Sequence, residues 1–84
     1  MKERVEELVA RLRENELDGV LISAGENRRY LSGFSGSAGY LFITGANAIL
    51  ATDSRYTEQA TNQSLYFDVK EVRGGWGWLI DEMK

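Results

Sequence analysis

The chain contains no cysteine, no histidine and no proline. Without cysteine there are no disulfides, zinc–thiolate sites or thiol nucleophiles, a usage compatible with a reducing compartment. Without histidine a Ser-His-Asp triad cannot be built, and the commonest general base and a frequent ligand of catalytic zinc and dimanganese sites are missing. Basic residues are also too scattered to form a stripe: the net charge is −3, with acids and bases mixed along the chain, so nucleic acid is not an expected partner. Long apolar runs are absent too. The longest, around Val20 to Ile22 and Tyr40 to Ile43, fall far short of the ~20 residues a membrane span requires. The Lys-Glu-Arg start lacks the apolar core of a secretion signal, so a cytoplasmic location away from membranes is expected.

What is present suffices for one domain. The 84 residues are 43% hydrophobic and 27% charged, the balance of a soluble globular chain. A chain of this size buries only ~60% of the surface its unfolded form exposes, which predicts marginal stability.

Val5, Leu8, Val9 and Leu12 recur at helical spacing between Lys2 and Glu14, with acids early, arginines late, Glu7 and Arg11 one turn apart, and Asn15 as the stop. Asp18-Gly19 then turns the chain into Val20-Leu21-Ile22, read as a strand buried on both faces. Glu26 to Ser32 reads as a short helix or turn, and Gly33 to Gly39 as a loop of defined shape. Tyr40 to Thr44 and Ala48 to Thr52, separated by Gly45-Ala46-Asn47, predict an antiparallel hairpin. Asp53 or Ser54 is expected to cap a helix running to about Gln63, with Tyr56 and Ala60 inward; Phe67, Val69 and Val72 suggest one more strand. Trp76, Leu79, Ile80 and Met83 show helical spacing again, which favours core packing for Trp76 and Trp78 over an aromatic binding surface. The order predicts an α/β fold, a mixed β-sheet flanked by helices and incomplete at its C-terminal end.

Three features invite a functional reading. Glycines 33, 36 and 39 give G-x-x-G-x-x-G, which is neither the dinucleotide fingerprint nor a P-loop, and a strand follows where both of those lead into a helix. These glycines are read as positions of positive φ or close backbone packing. Thr52-Asp53-Ser54-Arg55-Tyr56 lies where a strand meets a helix, the edge at which α/β sheets present functional side chains. On position and chemistry alone it reads either as a capped helix with a solvated arginine or as an Arg55 oriented by Asp53 for binding, the former being simpler. Arg28 and Arg29, beside a turn, are expected to be solvated.

Tyr30-Leu31-Ser32-Gly33-Phe34, then Gly36-Ser37-Ala38-Gly39 before a strand, then Thr52-Asp53-Ser54-Arg55-Tyr56 with Gln59-Ala60, resemble the N-terminal domain of Xaa-Pro aminopeptidases, of the creatinase, prolidase and aminopeptidase P family. The resemblance covers nearly the whole chain and is densest from Arg29 to Ala60. It implies a three-layer α/β domain with a mixed sheet like that of ribonuclease H, spanning residues 1–84, followed in the parent by a catalytic domain of the pita-bread fold. The family's two divalent metal ions, manganese or cobalt, sit in that catalytic domain on two Asp, one His and two Glu, and generate the hydroxide that attacks the carbonyl before proline. By the same resemblance, this chain alone is non-catalytic and holds no metal. It would wall the cleft for a peptide with proline at the second position and contribute to a homodimer contact. Arg55 would bind substrate, with Asp53 and Tyr56 as its supports. The domain's C-terminal helix and a further strand would be missing, leaving a sheet edge unprotected. A free-standing interaction or oligomerisation module, or prolidase or creatinase parentage, are the alternatives.

Overall fold

The computed structural model describes residues 2–73 and 77–83. Helix α1 (Lys2–Glu14) buries Val5 and Leu12, and the Glu7 to Arg11 pair forms at 3.8 Å on its exposed side. The helix stops as Asn15 foretells, but the left-handed residue is Glu16 (φ 57°). Glu16 N–H donates to the Arg13 carbonyl and Leu17 N–H to that of Leu12, which satisfies the last turn.

The chain continues through β1 (Gly19–Ile22), α2 (Gly25–Ser32), β2 (Tyr40–Thr44), β3 (Ala48–Thr52), α3 (Thr57–Gln63), β4 (Asp68–Glu71) and α4 (Gly77–Met83). The sheet order is β1-β2-β3-β4. β1 and β3 run antiparallel to β2, with Ile22 opposite Leu41 and Leu41 opposite Leu50. β4 runs parallel to β3, with Leu50 beside Val69, so the sheet is mixed as expected.

Alternation along the strands separates two faces. Val20, Ile22, Leu41, Ile43, Ala48, Leu50 and Val69 share one face and pack with Val5 of α1, Leu31 of α2 and Ala60 of α3 in the main core. Phe42, Ile49 and Ala51 are buried on the other face, where Trp78 of α4 lies 6.5 Å from the ring of Tyr40. Helices therefore meet both faces. Trp78 is half-buried, in keeping with a packing role, while Trp76 lies outside the described residues.

β1 departs from expectation. It pairs only with β2 among the described residues, and Leu21 is 38% exposed, so it is an edge strand and not one buried on both faces. Its short apolar run is legible as a strand, but an apolar triplet does not say how many layers cover it. Phe67, placed within the last strand by the sequence, sits buried just before β4.

Candidate functional site

The Thr52-Asp53-Ser54-Arg55-Tyr56 segment leaves the carboxyl end of β3, beside the carboxyl end of the parallel strand β4. Asp53 does not cap α3. The helix starts at Thr57, Tyr56 occupies the N-cap, and no side chain bonds there. Asp53 instead turns its carboxylate onto Arg55: Oδ1 accepts from the Arg55 backbone N–H at 3.0 Å and from Nε at 3.1 Å, and Oδ2 accepts from Nη2 at 2.7 Å. An aspartate bonding the backbone N–H two residues on is a local turn that competes with helix initiation, so α3 begins later than the capping signal suggests.

The Arg55 side chain is 68% exposed, its guanidinium gripped along the edge formed by Nε and Nη2. Nη1 has no hydrogen-bond partner among the described residues. The guanidinium carbon lies 5.1 Å from the centre of the Tyr56 ring, so one face is supported as well. The Arg55 hydrogen bonds hold the Asp53 carboxyl below the usual carboxylate range, and the same bonds hold the Arg55 guanidinium above its ordinary value. The result is a fixed cation, oriented by a carboxylate and an aromatic ring, with donors left over for a carboxylate or carbonyl oxygen.

Tyr56 ties this turn to the glycine loop. Its hydroxyl lies 2.6 Å from Ser37 Oγ, and its ring meets the buried ring of Phe34 edge to face at 5.9 Å. Two of the loop glycines act as the sequence suggests. Gly33 takes φ 79° to close α2, and Gly39 takes φ 152° at a place where a β-carbon would stand 3.1 Å from the Ala51 carbonyl oxygen. Gly36 meets the other condition, close packing: a β-carbon there would stand 2.2 Å from Phe34 Cζ. Thr52, buried at the end of β3, donates to the Ala38 carbonyl at 2.7 Å. At the loop's other side Ser35 N–H donates to Gln63 Oε1 and Gln59 Nε2 donates to Ser35 Oγ, both at 3.0 Å.

Arg28 corrects the expectation of a solvated charge. It is 5% exposed, and its guanidinium donates to the carbonyls of Ser23 at 2.9 Å, Gly39 at 3.0 Å and Gly36 at 3.0 Å. The next residue, Arg29, is exposed as expected. One step along a helix turns a side chain by about 100°, so of two adjacent arginines one can face in, and only the neighbouring loop decides which. No motif flags Arg28; the available signal is a loop of seven residues from Gly33 to Gly39 that is too polar in its backbone to be held without a donor.

A cavity of about 600 Å³ opens at this end of the sheet, lined by Ala38, Gly39, Thr52, Asp53, Glu71 and Arg73 among others. Another of about 480 Å³ lies between α1 and the Gly45 to Ala48 turn and carries none of the motif residues. The residues present do not fit a divalent metal centre: histidine and cysteine are absent, and among the described residues no three acidic groups converge.

The sequence pattern of the creatinase/prolidase N-terminal domain matches residues 4–84. The chain belongs to that family. Over 58 residues it is 48% identical to the uncharacterized peptidase YqhT of Bacillus subtilis, a stretch that is 69% of this chain and 16% of that protein. Its fold is similar to the N-terminal domain of the cytoplasmic peptidase PepQ from Mycobacterium tuberculosis, with TM-score 0.86 and 40% identity over 95% of this chain and 63% of that one. It is similar also to aminopeptidase P, an Xaa-Pro aminopeptidase, from Streptococcus thermophilus, with TM-score 0.91 and 30% identity over 98% of this chain and 64% of that one. The creatinase/prolidase N-terminal domain described here thus spans 16% of the peptidase's length and less than two thirds of either solved chain.

Proposed function

We propose that this domain is the non-catalytic, substrate-side part of a longer Xaa-Pro aminopeptidase that removes the residue preceding proline, and that Arg55 binds the peptide. The observation that carries the reading is the Arg55 arrangement: one guanidinium edge held by Asp53, one face on Tyr56, and Nη1 pointing to no partner among the described residues. A guanidinium so fixed binds a peptide carboxylate or carbonyl at a defined angle, a role lysine fills poorly. Asp53 and Tyr56 support it without touching substrate.

In this proposal the nucleophile for bond cleavage comes from outside this domain. The two divalent metal ions, manganese or cobalt, belong in this proposal to a catalytic region elsewhere in the protein, where they supply an activated water. The domain's contribution is to wall the cleft and orient the peptide. The outer edge of β1, unpaired among the described residues, with Leu21 exposed beside it, offers a surface for a dimer contact. Among the described residues no helix is long and apolar enough to cross a membrane. That the similar PepQ is a cytoplasmic peptidase supports a cytoplasmic place.

The test is to express the full reading frame with manganese and assay two substrates. Release of the first residue from an X-Pro-containing oligopeptide supports the aminopeptidase. Cleavage of X-Pro dipeptides alone assigns a prolidase, and no cleavage by a folded, metal-loaded protein leaves an interaction module.

A further inference from the structure

We propose that Arg28 is a positioning residue for the Arg55 site, acting through the glycine loop and never touching substrate; this rests on the substrate-binding reading of Arg55.

Arg28 is costly to keep. Among the described residues it is a buried guanidinium whose hydrogen-bond partners are three backbone carbonyls and no carboxylate, and whose buried Nε has no partner. A desolvated charge satisfied only in part is poor material for stability, and an apolar side chain of like volume would fill the space at lower cost. What an apolar side chain cannot do is hold three carbonyls at fixed mutual positions. Nη1 spans Ser23, just after β1, and Gly39, just before β2, while Nη2 takes Gly36 at the middle of the loop. One planar group thereby fixes the loop at its middle and at its end. Lysine has a single nitrogen and cannot reproduce the two-nitrogen span.

From the clamped loop the path to Arg55 consists of direct contacts. Gly36 lies against the Phe34 ring so closely that no side chain fits between them. Phe34 meets Tyr56 edge to face, Ser37 next to Gly36 bonds the Tyr56 hydroxyl, and the Tyr56 ring supports the Arg55 guanidinium. Arg55 is thus held from two sides. Asp53 acts within its own turn, whereas Tyr56 is held by a loop whose shape depends on Arg28. Without Arg28 the Asp53 bond survives and the aromatic support drifts.

The test has a spectroscopic and a kinetic arm. In this chain, Arg28→Met is expected to weaken the nuclear Overhauser contacts between the Tyr56 and Phe34 rings and to shift the Arg55 Nε–H resonance, with the amides of Phe42, Ile43, Ile49 and Leu50 in the middle of the hairpin unchanged; Arg28→Lys recovers the signals in part. Unchanged Tyr56 and Arg55 signals overturn the proposal. If Arg28→Met does not fold, Ser37→Ala, at an exposed position, cuts the same path at its far end and must shift the Arg55 resonance; no shift overturns it equally. In the full-length protein, Arg28→Met is expected to raise KM by about 3- to 10-fold with kcat within about twofold, and to cause no further loss in an Arg55→Ala background. Losses that add in the double variant contradict the proposal. If Arg55→Ala alone changes nothing, the substrate-binding reading of Arg55 falls, while the resonance shifts still decide whether Arg28 positions it.

Discussion

The two ends of the β2–β3 hairpin are built by opposite means. At the closed end Thr44 Oγ1 accepts from Ala46 N–H at 3.1 Å and from Asn47 N–H at 2.9 Å, and Thr44 N–H donates to the Asn47 carbonyl. Every bond there joins neighbours in sequence, and Gly45, Ala46 and Asn47 are exposed. At the open end the bonds reach across the fold: Arg28 to Gly36 and Gly39, Thr52 to Ala38, Tyr56 to Ser37, Gln63 to Ser35. The closed end is a connection that closes itself. The open end stays in shape only while α2, β3 and α3 hold it, and it is where the oriented cation stands. If Arg55 binds the peptide as proposed, presenting it at a fixed angle gains from such cross-links because each holds a group the local chain cannot.

Glycine substitutions should separate the ends most strongly. At Gly36 a β-carbon would meet three atoms of the buried Phe34 ring at 2.2 to 2.9 Å, whereas at Gly45 the nearest atom is Arg13 Nη2 at 3.7 Å. Gly36→Ala is therefore expected to destabilise by about 1–3 kcal/mol, and Gly45→Ala by less than about 0.5 kcal/mol, in urea unfolding. Equal losses would erase the contrast.

Threonine substitutions probe the same difference at smaller scale. Thr52→Val leaves the Ala38 carbonyl without its donor beneath the loop, at a cost of about 1–2 kcal/mol. Thr44→Val frees N–H groups that water can reach, at about 0.5–1 kcal/mol. Thermal midpoints of the two variants measured together check the order, and a larger loss at Thr44 would reverse the account.

The smallest effect is electrostatic. Asp53 has its folded-state pKa lowered, chiefly by the Arg55 side-chain hydrogen bonds. The stabilisation from this pair is therefore fully present above the ordinary aspartate value of ~3.9 and is lost as pH falls through the lower folded value. Arg55→Ala should move the Asp53 midpoint upward toward that ordinary value in a carboxyl-carbon NMR titration. An unmoved midpoint would mean the pair does not persist in solution. Arg55 is exposed and Asp53 half-buried, so solvent screens the pair, and Arg55→Ala should leave folding stability nearly unchanged.

What the sequence disclosed follows the same division. α1 and the hairpin follow from periodicity and turn residues, which act over a few positions, whereas Glu26 to Ser32 read as a short helix or turn and proves to be the helix Gly25–Ser32. Membership of the creatinase/prolidase N-terminal domain family was legible from the Tyr30 to Gly39 and Thr52 to Ala60 motifs, and the matched residues 4–84 bear it out. The burial of Arg28 was not legible, because it depends on carbonyls 8 and 11 residues away that a linear scan does not bring together. The capping expectation at Asp53 failed for a related reason: the same carboxylate can serve a helix or its own turn, and Arg55 two residues on supplied more donors to the turn. β1 read as fully buried because apolar side chains register hydrophobicity, while edge position is set by which strands pair.

The most direct test of the proposed Arg55 site is the kcat/KM of the full-length protein for an X-Pro-containing peptide with Arg55 intact, as Arg55→Lys and as Arg55→Ala. The expected result is a loss of about tenfold or more for Arg55→Ala, an intermediate or equal loss for Arg55→Lys, and unchanged folding and metal content. Kinetics that do not distinguish the three proteins would return Arg55 to a solvated surface charge.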